Sequence, residues 1–232
     1  MISAIIPARG GSKSIPRKNL VPVHGHPLIA YSIALCKAAK NIDRVFVSTE
    51  DKEIARIAKE YGAEVPFLRP EELSTDTASD VGFLNHFFDN YNFEEVALMR
   101  PTTPMRNENF VDKVIQIYFN NKENLTGLRT MHEINESPYK LFKISDNFCE
   151  SFFGDIELSN MPRQSFPKTY KPDGHIDIVK QDTVRKGNTF GNKIFAVKGE
   201  KIVDIDSKED LDVLLCTSKT IPSGWVKHLK RS

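Results

Sequence analysis

Met1-Ile2-Ser3-Ala4-Ile5-Ile6-Pro7-Ala8-Arg9-Gly10-Gly11-Ser12-Lys13-Ser14-Ile15-Pro16-Arg17-Lys18-Asn19 passes without a spacer from an apolar run of strand length into two glycines and four cationic side chains. Short continuous apolar runs are how strands buried on both faces of a parallel sheet read, and ligands of open α/β sheets sit beyond the carboxyl ends of such strands. Gly10 and Gly11 let the backbone turn and approach a ligand, so that successive N–H groups can face phosphate oxygens. Ser12 lies between them and Lys13. Arg9, Lys13, Arg17 and Lys18 supply charge for a polyanion. Neither the G-x-x-x-x-G-K-[ST] loop nor the G-x-G-x-x-G fingerprint is present, which argues against a P-loop enzyme or a dehydrogenase.

Working outward, Pro27 introduces a helical pattern at Leu28, Ile29, Ile33, Ala34 and Leu35. Arg44 to Thr49 reads as a strand, and Asp51 to Tyr61 as a helix stopped at Gly62. Val65 to Leu68 reads as a further strand, Ser79 to Tyr91 as a helix, Val96 to Met99 as a core strand and Asn109 to Asn120 as a helix. Strands follow at His175 to Val179, Ile194 to Val197 and Ile202-Val203. A last helix spans Ser207 to Leu215, with Ser207 as N-cap and Leu211, Leu214 and Leu215 facing inward. This alternation predicts one α/β domain over residues 1–232: a Rossmann-like, mostly parallel sheet with helices on both faces.

Between about residues 128 and 172 the rhythm breaks. Pro138, Pro162 and Pro167 intrude, and Phe142, Phe148, Phe152, Phe153 and Phe166 bring apolar mass that an isolated hairpin cannot bury. Such an insertion either packs on a second subunit as a dimerisation arm, the reading preferred here, or lies as a flap on its own domain.

With 32 basic and 31 acidic residues the net charge is +1, so no global field points to nucleic acid or a membrane surface. No apolar segment approaches the roughly 20 residues of a bilayer span, and the opening lacks the order of a signal peptide. Cys36, Cys149 and Cys216 lack metal or redox spacing. A cytoplasmic enzyme is expected. The tail after Cys216, basic at its end, reads as a solvated terminus.

Two further polar loops stand where strands end. Arg69-Pro70-Glu71-Glu72-Leu73-Ser74-Thr75-Asp76-Thr77-Ala78 is one, and Arg100-Pro101-Thr102-Thr103-Pro104-Met105-Arg106 is the other. Asp204-Ile205-Asp206 places two carboxylates at i, i+2, on one side of extended chain. There they can share a hard cation such as Mg²⁺ with substrate phosphates, or simply favour the N-terminus of the helix that follows. A basic loop with a carboxylate pair suggests transfer at phosphorus.

In order and spacing, these motifs resemble those of the CMP-N-acetylneuraminate synthetase (acylneuraminate cytidylyltransferase) family. The matching segments are Ile6 to Lys13, Pro16 to Asn19, Val47-Ser48-Thr49, Arg69 to Ala78, Pro101 to Arg106, Pro162-Arg163-Gln164 and Asp204-Ile205-Asp206. The resemblance implies an Mg²⁺-dependent cytidylyltransferase that couples CTP to a nonulosonic acid of sialic, legionaminic or pseudaminic type, giving CMP-sugar and pyrophosphate in a homodimer. It implies that Arg9, Lys13, Lys18 and Asn19 hold the triphosphate. Arg69, Ala78 and Asp80 would lie near the cytidine, and Asp204 and Asp206 would bind the metal, with Lys13 and both aspartates serving the reaction. Thr102, Lys140, Arg163 and Gln164 would contact the sugar, the arm residues from a partner subunit.

Three departures from the family pattern stand out. Arg100 replaces a glutamine of the sugar pocket, Asp173-Gly174-His175-Ile176-Asp177-Ile178 replaces Asn-Gly-Ala-Ile-Tyr-Ile, and Ser14 stands where glycine is common. Arg100 is expected to alter sugar recognition. His175 is either a contact in the site or a satisfied structural residue. Rival expectations are 3-deoxy-manno-octulosonate or an amino derivative as the sugar, and a nucleotide-binding homologue without turnover.

Overall fold

The computed structural model describes residues 1–217 and 225–229. The opening apolar run forms β1 (Ile2–Pro7), and its alternate side chains face two different cores. Ala4 and Ile6 pack with α1 (Leu28–Ala38), α2 (Lys52–Glu60) and α4 (Glu108–Asn121). Ile5 packs instead with Phe83, Leu84, Phe87 and Phe88 of α3 (Asp80–Asn90). A strand apolar on both sides, with Ser3 as its one polar residue, is therefore covered on both faces, as its reading requires.

The other strands of the main sheet are β4 (Ile42–Ser48), β5 (Glu95–Leu98), β6 (Gly127–Ile134), β9 (Thr169–Lys180) and β10 (Ile194–Lys198). Two-residue strands β2 (Pro22–Val23) and β3 (His26–Pro27) pair only with each other. The six-stranded order is β10-β6-β9-β5-β1-β4. β1 runs parallel to β4 on one side and to β5 on the other, and β10 runs parallel to β6. β9 alone is antiparallel to both its neighbours. The strand order thus reverses at β1, and the glycine loop leaves β1 at its carboxyl end, a topological switch point of the kind that forms a ligand crevice.

Local chemistry sets the helix starts. Asp51 caps α2 by accepting from the Glu53 and Ile54 amides, and Asn107 caps α4 in the same way through Asn109 and Phe110. Ser207 precedes the last helix (Lys208–Thr217): its Oγ accepts from the Asp210 amide at 3.1 Å while Asp210 Oδ2 accepts from the Ser207 amide at 2.8 Å, a reciprocal capping arrangement.

Several sequence expectations are corrected. Val65 to Leu68 is not a strand: one parallel bridge joins Phe46 to Glu64, and Pro66, with no N–H to donate, ends the pairing there. Ile202-Val203 is not a strand: among the described residues it pairs with no other segment of sheet. Leu214 is buried, whereas Leu215 is exposed. Trp225 is fully buried and meets Tyr31 edge-on at 5.8 Å, so this part of the tail is core and not a solvated terminus; the basic end, 230–232, lies outside the described residues.

The irregular stretch is also shorter than its sequence suggests. Residues 127–134 and 169–180 are β6 and β9, paired from Gly127 with Val179 to Ile134 with Thr169 across one register shift. Only residues 135–168 project from the sheet. They carry a hairpin of β7 (Phe142–Ser145) and β8 (Phe148–Ser151), whose turn residues Asp146 and Asn147 both take positive φ. Tyr139 stacks on Phe166 and packs against Phe153, whereas Ile144, Phe148 and Phe152 stand exposed.

Candidate active site

A cleft of about 710 Å³ opens at the carboxyl ends of β1 and β5, lined by the three loops singled out in the sequence and by the acidic pair. From the basic loop come Arg9, Gly11, Ser12, Lys13, Lys18 and Asn19; from the facing segment, Arg69, Asp76, Ala78 and Asp80; and from beyond β5, Arg100 and Thr102, with Asp204 and Asp206 opposite.

The basic loop is held from within and from outside. Asn19 Nδ2 donates to the Arg9 carbonyl at 2.9 Å, closing the loop on itself. Gly10 turns away from the cleft: its N–H donates to Glu50 Oε1 at 2.6 Å, and a Cβ there would lie 2.6 Å from Asp51 Oδ2. Gly10 therefore serves close packing against the start of α2, leaving Gly11 to line the cleft. Arg17, in left-handed backbone, also leaves the site and pairs with Asp51 and Glu53. Arg9 and Lys13 both reach Asp76, at 2.9 and 2.8 Å.

Arg69 is buried and fixed by Ser48: Nε donates to Oγ at 3.1 Å and Nη2 to the carbonyl, with the guanidinium over the Phe83 ring at 4.9 Å. Burial pushes its pKa down, against the pull of Glu50 and Asp80. On the far wall Arg100 pairs with Asp80 at 2.5 Å. Burial alone would lower the Arg100 pKa, but the Asp80 hydrogen bond and the charges of Asp80, Asp177 and Asp204 outweigh it and leave it raised.

Alternation in extended chain places the acidic pair as expected. Ile205 is fully buried, and Asp204 and Asp206 on either side of it are exposed toward the cleft. The Ile205 amide donates to the Thr102 carbonyl at 2.8 Å, and Lys18 Nζ donates to the Ile205 carbonyl at 2.8 Å and to Asp206 at 3.3 Å. The carboxylates are thus strapped to two of the three loops. Among the described residues no cluster of three metal-ligating side chains occurs, so a cation here would take two protein carboxylates and complete its shell with phosphate and water oxygens, a donor set that suits Mg²⁺.

The remaining candidates lie elsewhere. Lys140 is exposed at the base of the projecting arm. Arg163 and Gln164 line a separate cavity of about 280 Å³ with Glu133, Ser137 and Lys168. His175 is buried under the sheet end, with Nε2 3.1 Å from the Glu200 carbonyl and its ring edge-on to Phe110 at 4.8 Å. Burial pushes its pKa down. Asp177 pairs with Arg129 at 3.1 Å beside the sheet, and burial raises its pKa against that pairing and the Arg100 charge.

Arg106 has a positioning part that the sequence did not disclose. Fully buried, it donates from Nε to the Gly174 carbonyl at 2.8 Å, from Nη1 to Ser32 Oγ at 2.9 Å, and from Nη2 to Thr103 Oγ1 at 2.5 Å and to the Arg100 carbonyl. One side chain thereby fixes the loop that carries Arg100 and Thr102. Its signal in the sequence was an arginine following two prolines and two threonines, a pattern equally suited to a ligand contact.

Known proteins carry the same arrangement of sequence and fold. A family model described as cytidylyltransferase matches residues 3–173. N-acylneuraminate cytidylyltransferase of Escherichia coli is 32% identical over 220 residues, covering 92% of this chain and 51% of that protein; the chain thus spans about half of its length. Pseudaminic acid cytidylyltransferase of Campylobacter jejuni is 29% identical over 219 residues, covering 90% of this chain and 92% of its own. Among solved structures, CMP:2-keto-3-deoxy-manno-octonic acid synthetase complexed with CTP superposes with a TM-score of 0.72 at 15% identity, covering 93% and 97% of the two chains, which speaks to the fold. With the family model spanning the phosphate loop, both facing loops and most of the sheet, the chain belongs to the cytidylyltransferase family.

Proposed function

We propose that the chain couples CTP to a nonulosonic acid, releasing pyrophosphate and forming a CMP-sugar, in a cytoplasmic, Mg²⁺-dependent homodimer. The observation that carries this reading is the convergence of the basic glycine loop and the Asp204/Asp206 pair on one cleft, in a chain whose relatives are named for acidic nine-carbon sugars.

In the reaction the sugar's anomeric hydroxyl attacks the α-phosphorus of CTP in line with the departing pyrophosphate. Arg9, Lys13 and Lys18 would grip the phosphate chain, neutralising charge on the transferring and leaving oxygens. Arg69, held on Ser48 and stacked over Phe83, would form the wall toward the nucleoside. Asp204 and Asp206 would hold Mg²⁺, which when bound polarises phosphate oxygens. No cleft-lining side chain is an obvious general base, so proton removal falls to one of these aspartates or to solvent. Lys140, Arg163 and Gln164 lie outside this cleft, which supports a site completed by the arm of a second copy.

The test is pyrophosphate release with CTP, UTP, GTP or ATP against N-acetylneuraminate, legionaminate, pseudaminate and 3-deoxy-manno-octulosonate, with Mg²⁺ or with a chelator. Turnover is expected with CTP and one nine-carbon acid and is lost on chelation. Turnover with the eight-carbon acid alone, or with none of the pairs, would overturn the reading.

A further inference from the structure

Arg9 and Lys13, two cations of the basic loop, converge on one carboxylate. Asp76 Oδ1 lies 2.9 Å from Arg9 Nη1, and Asp76 Oδ2 lies 2.8 Å from Lys13 Nζ. The same Arg9 nitrogen donates to the Thr75 carbonyl at 2.9 Å, so the contact ties the basic loop to the facing loop through backbone as well as charge. All three side chains line the 710 Å³ cleft. Two oxygens of one anion, each on a different cation, is also how a phosphate group would engage this pair.

We propose that Asp76 is an affinity-setting residue that competes with the phosphate chain of the substrate for Arg9 and Lys13. This rests on the reading that a nucleotide's phosphates lie on the basic loop. Binding then exchanges one set of charge-assisted hydrogen bonds for another, so the loop grips a polyanion with less than its full potential affinity. When pyrophosphate departs, Asp76 takes both cations back, which favours release of a product carrying the same charged groups as the bound substrate. Lys13, and to a lesser degree Arg9, hold the Asp76 carboxyl below its ordinary pKa, so it keeps its charge at neutral pH. Its exposure makes the pairing weak enough to be displaced.

The test is calorimetric titration of the full chain with inorganic pyrophosphate, and separately with CTP. Asp76→Asn is expected to tighten pyrophosphate binding by about two- to tenfold, with a gap that narrows as salt is raised. Asp76→Glu, which keeps the charge, should bind as the wild type does. Glu72→Gln removes a charge from the same loop outside the cleft lining and should leave affinity unmoved. Unchanged or weaker binding by Asp76→Asn overturns the proposal, as does equal tightening by Glu72→Gln or failure of every variant to bind pyrophosphate. Because this readout needs no sugar, it is separable from the turnover test: a chain that fails with every sugar acid can still show the competition.

Discussion

Arg100 and Asp80 meet across the cleft, Arg100 Nη2 donating to Asp80 Oδ2 at 2.5 Å, and so join the loop after β5 to the first turn of α3. The residue expected beside the nucleoside and the one expected beside the sugar are thus one ion pair. Arg100→Gln would leave the half-buried Asp80 carboxylate without its cation, and would remove a charged donor worth about 1.5–3 kcal/mol to a bound substrate. Steady-state kinetics with CTP and the preferred sugar acid should show kcat/KM down by roughly tenfold or more. Unchanged Michaelis constants and sugar preference would exclude Arg100 from recognition.

Arg106 should be the most sensitive position of the loop for stability. Arg106→Leu leaves the carbonyls of Arg100 and Gly174 and the hydroxyls of Ser32 and Thr103 without its donors in the interior. A loss of at least about 1–3 kcal/mol in urea denaturation is expected, the cost of leaving buried acceptors unmet. Arg106→Lys, with a point charge in place of the fork, should recover only part of it. Gly174→Ala probes the same contact from the other side, because φ is +76° there and a Cβ would lie 2.8 Å from Thr103 Cγ2.

The contrast between Arg106 and the loops it supports shows what the sequence could disclose. Asp204-Ile205-Asp206 was legible because period-two alternation leaves the carboxylates on one side and buries Ile205. β1 is legible because a nearly continuous apolar run of strand length reads as a strand covered on both faces. Proximity in the chain places Arg17 and Gly10 with the phosphate loop, yet they turn toward the start of α2, since Asp51, Glu53 and Glu50 lie there and are distant in sequence. The pairing of Asp76 with Arg9 and Lys13 is likewise a long-range contact between two polar loops, for which no local pattern exists. β6 is hidden because Arg129, Thr130, His132 and Glu133 leave it neither a continuous apolar run nor a clean alternation.

His175 should make stability depend on pH in a defined window. Burial lowers its folded-state pKa, against the opposing pull of Asp173 and the Glu200 carbonyl. On acidification the unfolded imidazole takes up a proton near its ordinary value of about 6.5 while the folded one resists. Stability from this group is therefore complete above that pH and falls as pH drops through the folded pKa. His175→Gln should flatten the decline below about pH 6.5, with a difference in slope of at most about 1.4 kcal/mol per pH unit. His228, whose pKa burial also lowers, is present in both proteins and cancels in the comparison. Parallel urea curves for the two proteins at each pH would exclude His175 as the source.

The arm provides the last prediction. Ile144 and Phe148 are each 75% exposed at the tip of the β7–β8 hairpin, where Ile144 pairs with Cys149 and Ser145 with Phe148. The hairpin is two-stranded, and such a unit is marginal in water without further packing. Tyr139, Phe153 and Phe166 pack together lower in the arm, leaving the tip as the part that needs a partner. If a second copy covers it, Ile144→Asp combined with Phe148→Asp should convert a dimer to a monomer in sedimentation while the far-UV signal of the sheet is kept. The cleft proposed to bind CTP would remain, because its lining comes wholly from residues outside 135–168. CTP affinity should therefore persist while turnover falls by roughly tenfold or more, through loss of Lys140, Arg163 and Gln164 from the sugar side. A variant that stays dimeric, or a monomer with full turnover, would mean that the arm acts on its own domain.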